Sequence, residues 1–147
     1  MNMIAHQFSE SISRAQKGHT IGVKSMQITS ALGRAKLHPA FINTGMRLES
    51  VNSEKMRVYV HGKVIETRAD HVWHKTSGAL MGRIRFFVLN DDESLGQVVF
   101  SIHFDSLGNL NQSYAFTDDA ESQQDAIRDI LIKLLNAVHE TLDVVDL

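Results

Sequence analysis

Asp70-His71-Val72-Trp73-His74 is the densest group of side chains able to bind a metal or move a proton, in a chain that carries eight histidines. On a helical turn His71 and His74 would share a face and could hold one metal between them. On a strand their spacing sends them to opposite faces. A third ligand is not identifiable, and a chain with no cysteine supplies no thiolate. No metal site is therefore assigned, and the expectation is a loop whose Trp73 plugs the edge of the core.

A second polar group forms only if the neighbouring strands pair as their apolar pattern requires. His103 then stands beside Arg83 and Asn111, where a nearby cation favours the neutral, proton-accepting imidazole. Tyr59 and His61, outward on an earlier strand, extend this candidate polar site of Arg83, His103, Asn111, Tyr59 and His61. Arg57, Tyr59, Arg83 and Arg85 could also meet phosphates and stack on a base. Against that, 15 basic and 17 acidic side chains give a net charge of −2, without the cationic excess of a dedicated nucleic-acid binder. Asp91-Asp92-Glu93 lacks the alternating ligands and central glycine of a calcium loop. There is no phosphate-binding glycine loop, no G-x-G-x-x-G, no G-x-S-x-G elbow and no H-E-x-x-H. Catalytic and cofactor-binding residues are accordingly left unassigned, and no cofactor is implied.

The elements that must position these residues are clearest between Arg83 and Phe116. Ile84, Phe86 and Val88 alternate on one face, as do Val98, Phe100, Ile102 and Phe104, then Leu110, Tyr114 and Phe116. Period two in three consecutive segments predicts a three-stranded meander. A slip of one residue would turn a whole apolar row into water, so Phe86 is expected beside Phe100 and Phe100 beside Tyr114. The turns fall at Asp91 to Leu95 and Asp105 to Asn109. On the other face, the rows are Arg83, His103, Asn111; then Arg85, Ser101, Ser113; then Phe87, Val99, Ala115. An apolar row beside two polar ones predicts an interface around Phe87, Val99 and Ala115, rimmed by Arg85 and Ser101.

Upstream, residues 3 to 17 read as an amphipathic helix with Ile4, Ala5, Phe8, Ile12 and Ala15 on its apolar side and Gly18 as its stop. Residues 20 to 43 give no readable pattern beyond the break at His38-Pro39. A strand is expected around Met46 and Leu48, a turn at Asn52-Ser53, and then one long strand from Lys55 to Arg68, bulged at Gly62. Residues 67 to 82 read as an extended loop or short helix. After the meander, Asp118 and Glu121 resemble a helix start. Ile127, Ile130, Leu131, Leu134, Val138 and Leu142 form the stripe of a long C-terminal helix.

These elements predict a single α+β domain over residues 1–147. It has two layers: a mostly antiparallel meander sheet of about five strands, with the N-terminal helix and the long C-terminal helix packed on one face. Apolar residues at 43% and charged residues at 22% exclude a disordered chain. No apolar run approaches the roughly 20 residues that span a bilayer, and the N-terminus has no basic region ahead of a long apolar stretch, so neither a membrane protein nor a secretory signal is expected. Absent cysteines fit a cytoplasmic home. In architecture the order is similar to helix-grip ligand-binding folds and to small secretion-chaperone-like domains, a likeness that carries little function. The functional expectation is a non-enzymatic protein-binding or adaptor module that forms a homodimer. The alternative is a small-ligand binder or hydrolase-like enzyme with its pocket between the sheet and the C-terminal helix, lined from Tyr59, Trp73 and Tyr114.

Overall fold

The computed structural model describes residues 3–110 and 116–147. Helix α1 (Met3–Gly33) leads through a single turn, α2 (Pro39–Ile42), into five strands. These are β1 (Arg47–Asn52), β2 (Lys55–Val60), β3 (Lys63–Trp73), β4 (Leu80–Leu89) and β5 (Leu95–Phe104), followed by helix α3 (Ala120–Glu140). All five strands lie in one antiparallel sheet in the order β1-β2-β3-β4-β5. Both long helices bury residues in one continuous core on one sheet face: Ile21, Ile28 and Leu32 from α1, and Ala126, Ile130, Leu131, Leu134 and Val138 from α3. The fold is the expected two-layer α+β meander.

The five strands among the described residues are not the five that the sequence predicts. What reads as one bulged strand from Lys55 to Arg68 is a hairpin, because His61 and Gly62 both take positive φ, 53° and 72°. Two consecutive positive φ values make the tight turn that suits the twist of antiparallel strands. The expected loop over residues 67 to 82 is instead the second half of β3, a short turn in which the His74 N–H donates to the Ala79 carbonyl at 2.8 Å, and the start of β4. The expected third strand of the meander lies mostly outside the described residues. Of it, Leu110 forms an isolated bridge with Phe104, and Phe116 is buried.

The register between β4 and β5 holds where the sequence predicts it, with Phe86 opposite Phe100, Arg85 opposite Ser101 and Arg83 opposite His103. It then shifts by one, so that Phe87 faces Val98. An extra residue on one strand reverses the alternation beyond it. Val98 is therefore exposed and Val99 packs against the core, the reverse of the simple pattern.

Helix α1 corrects the sequence reading most. Gly18 lies inside it rather than ending it, and the residues that enter the core, Ile21, Ser25, Ile28, Thr29 and Leu32, all come after Gly18. Residues 3–17 are exposed throughout. The apolar side expected to bury, with Ile4, Phe8 and Ile12 at 75%, 67% and 43% exposure, does not enter the core. Helix α3 follows its stripe, with Asp119 rather than Asp118 as the cap: its carboxylate accepts from the Ser122 N–H at 2.9 Å. Leu142 falls beyond the helix and is exposed.

Candidate functional site

Strand alternation sends Arg57 and Tyr59 of β2, Glu66, Arg68 and Asp70 of β3, Arg83, Arg85 and Phe87 of β4, and Ser101 and His103 of β5 to the sheet face away from the helices. Cross-strand pairing then sets Arg57 beside Glu66, Glu66 beside Phe87, Arg68 beside Arg85, and Asp70 beside Arg83. Two ionic clusters result. Asp70 accepts a two-pronged contact from Arg83, Nε to Oδ1 at 2.9 Å and NH2 to Oδ2 at 2.7 Å, and a third from Arg85 at 3.2 Å. Glu66, only 2% exposed, accepts from Arg57 Nε at 3.0 Å and Arg68 NH2 at 2.7 Å. Forked guanidinium–carboxylate contacts are directional and strong for their size.

The hydrogen bond from Arg83, with Arg85 and His71 adding attraction, holds the Asp70 carboxyl below its ordinary range against the opposing effect of burial. His103 is pushed below the usual histidine value, by burial first and by the Arg83 cation second, while Asp70 pulls the other way. The neutral imidazole expected beside Arg83 thus has two causes, and burial is the larger. Arg85 is the member at a cost: its Nε is buried without a hydrogen-bond partner among the described residues, while its guanidinium lies 5.1 Å from the Phe87 ring centre.

The structure joins Arg83 and His103 of the candidate polar site and sets Tyr59 and His61 apart from them. Tyr59 sits on β2, its hydroxyl 3.2 Å from the Glu49 carboxylate and its ring under Arg47 at 3.9 Å. His61 occupies the β2–β3 turn and meets His139 of α3, Nε2 to Nε2 at 2.8 Å. Asn111 lies outside the described residues. Sequence reasoning placed Asp70 with the neighbouring histidines and missed it as the partner of Arg83. The cue was available in the alternation of β3, had residues 67 to 73 been read as strand.

The interface row of Phe87, Val99 and Ala115 does not form as expected. Phe87 is 8% exposed and faces Val98, Val99 has turned to the core, and Ala115 lies outside the described residues. Arg85 and Ser101 stand opposite each other as predicted, but they border an ionic surface rather than an apolar patch. His71 and His74 are apart: His71 Nε2 lies 2.8 Å from the Gly18 carbonyl oxygen, and His74 Nδ1 accepts from the Ser77 N–H at 3.1 Å. Among the described residues no three histidine, aspartate or glutamate side chains gather as a ligand set. Trp73 is 62% exposed at the far end of β3 from Val64, the partner of Tyr59, so it neither plugs the core nor shares a cavity with Tyr59.

A groove of about 900 Å³ lies beside the sheet along α1. Gly18, Gly22, Val23 and Met26 form one wall, the turn from Asn52 to Lys55 closes one end, and Arg68 to His71 of β3 form the other side. No helix among the described residues is long and apolar enough to cross a membrane. No family model matches this chain, and neither a curated protein nor a solved structure gives a match to it.

Proposed function

We propose that this chain is a non-enzymatic protein-binding module that self-associates through the N-terminal half of α1. The observation that carries this reading is the exposure of Phe8 and Ile12, at 67% and 43%, one turn apart on a helix that runs unbroken into the core. Large apolar side chains repeated along one helix face normally bury against something. The core is already served by another face of α1, through Ile21, Ser25, Ile28, Thr29 and Leu32. At 100° per residue, Ser9, Ser11 and Gln16 flank the Phe8–Ile12 stripe, while Glu10, Arg14 and Lys17 project from the far side. No charge on the stripe opposes an identical copy, and an antiparallel pair of α1 helices brings Phe8 of one against Ile12 of the other.

Sedimentation of the full chain at tens of micromolar tests this. Self-association is expected, and Phe8→Lys with Ile12→Lys should give a monomer that melts within about 0.5 kcal/mol of the parent, as exposed substitutions do. A monomeric parent ends the reading. So does a variant that associates as the parent does.

A further inference from the structure

We propose that the groove beside α1 accepts an extended segment of a partner protein, with apolar and acidic side chains alternating, as an added strand on the free edge of β3. This deepens the reading of the chain as a protein-binding module, but at a stretch of α1 farther along the helix than Phe8 and Ile12.

The two-residue turn at His61–Gly62 makes Val60 and Lys63 a hydrogen-bonded pair, which fixes the phase of β3. Odd-numbered residues direct N–H and C=O toward β2, and even-numbered residues direct theirs toward β4. The other end of the strand gives the same phase independently, since the His74 N–H bonds to Ala79 in the turn leading to β4.

Pairing with β2, however, stops at Arg57 opposite Glu66. Thr67 closes that junction with its own side chain, its Oγ1 accepting from the Met56 N–H at 3.0 Å. Beyond it, β3 runs on to Trp73 with β4 on one side and, among the described residues, no strand on the other. The backbone groups of Ala69 and His71 therefore face the groove rather than a ladder, and those of Trp73 lie farther along the same free edge. Such an edge is a template for one more strand.

The walls define what that strand carries. On the helix side, Val23 and Met26 are 42% and 40% exposed, and a Cβ built on Gly22 meets nothing within 4 Å. Side chains of the added strand on this face meet apolar surface with space left by glycine. On the opposite face the nearest row is Arg68 and Asp70, but Asp70 is already engaged by Arg83 and Arg85. Arg68 shares Glu66 with Arg57. Four guanidinium groups thus share two strand carboxylates, with Glu93 also 3.8 Å from Arg57, and the remaining cationic excess favours acidic side chains in the incoming row. Glu54 and Lys55 at the closed end offset one another.

The test uses the full chain and a capped peptide of alternating aspartate and valine, DVDVDVD, with KVKVKVK as its charge-reversed counterpart. Trp73, the single tryptophan, sits on the edge concerned and reports binding by its fluorescence. The acidic peptide should give a saturable change and slow amide exchange at Ala69, His71 and Trp73, while Asp70 and Val72, bonded to β4, are protected with or without it. Ala69→Pro removes a groove-facing N–H and leaves the β4 ladder intact, so binding should fall about tenfold or more. If that variant does not fold, Gly22→Leu, which fills the groove from a helix position that tolerates a side chain, should weaken binding equally.

Unchanged exchange at the three amides, equal binding of the lysine peptide, or parent-like binding by Gly22→Leu overturns the proposal. Concentration-dependent protection of those amides without peptide also overturns it, by making a second copy the occupant. Loss of peptide binding in a chain that still sediments as an α1-dependent assembly separates failure of this proposal from failure of the self-association reading.

Discussion

Phe86 and Phe100 face each other across β4 and β5 with ring centres 5.6 Å apart and planes tilted by 46°, yet only Phe86 is fully buried. The bulge just beyond this pair loosens β5 toward its start, where Val98 is exposed and Phe100 half-buried. Core contribution therefore follows position relative to the helices rather than the alternation of the strand alone. Phe86→Ala is expected to cost about 3 to 5 kcal/mol and Phe100→Ala roughly half as much, because the second ring removes less area from water. Chemical denaturation of the two variants ranks them, and an equal or reversed order would contradict the bulge.

Gly82 on β4 marks a second contact that cannot relax. A Cβ there would overlap the Phe104 ring and crowd Ile21, and both side chains are fully buried. Gly82→Ala should destabilise by about 1 to 3 kcal/mol despite adding one methyl group. Alanine at Gly22, where a Cβ meets nothing within 4 Å, should instead stabilise α1 by up to about 1 kcal/mol through helix propensity. Thermal melts of the two variants should move in opposite directions.

The parts of the fold legible in the sequence are those where one physical signal acts alone. Strands β4 and β5 alternate cleanly up to Phe86, and the α3 stripe repeats with helical period. The reading fails where two signals compete. Gly18 reads as a stop, but glycine inside a helix costs only about 1 kcal/mol relative to alanine, which the burial of Ile21, Ile28 and Leu32 outweighs. Ser25 and Thr29 within that buried stripe hide its period. His61 at φ 53° does what glycine usually does, so the turn it forms with Gly62 passed for a bulge. The polar site was half legible for the same reason: Arg83 and His103 follow from β4–β5 register, whereas Asp70 requires β3 to continue through a segment with no apolar alternation.

Acid stability should fall in two windows, an upper one set by His103 and a lower one to which Asp70 contributes together with Asp92, Asp105 and Asp119. Asp70 and His103 both sit below their ordinary values in the folded chain, so the folded state favours the deprotonated form of each. Such a contribution is complete above the unfolded pKa and is lost as pH falls through the folded one. For His103 the loss begins below about pH 6.5, and for Asp70 below about pH 4. Arg83→Gln removes the largest cause of the Asp70 shift and one cause of the His103 shift. Both windows should then shrink, the lower one from its acid end because the folded value of Asp70 rises toward the unfolded one. Melting temperatures from pH 3 to 8 for parent and variant provide the check, and superimposable profiles would exclude Arg83 as the common cause.

Glu66 is the carboxylate on which the other ionic cluster depends, because it is 2% exposed and bonded by both Arg57 and Arg68. Removing it leaves Arg57, itself 23% exposed, with only the more distant and exposed Glu93 carboxylate at 3.8 Å, whereas Arg68 at 45% can turn to water. The penalty should therefore reside mainly in the Arg57 contact. Glu66→Ala is expected to cost about 1.5 to 3 kcal/mol, the range for hydrogen bonds to charged groups. A double-mutant cycle with Arg57→Ala should show a coupling above about 0.5 kcal/mol, and the cycle with Arg68→Ala a smaller one. Were the Arg68 coupling the larger, the buried side of the cluster would lie at β3's far edge rather than against β2, and the account of how this face is held together would have to be reversed.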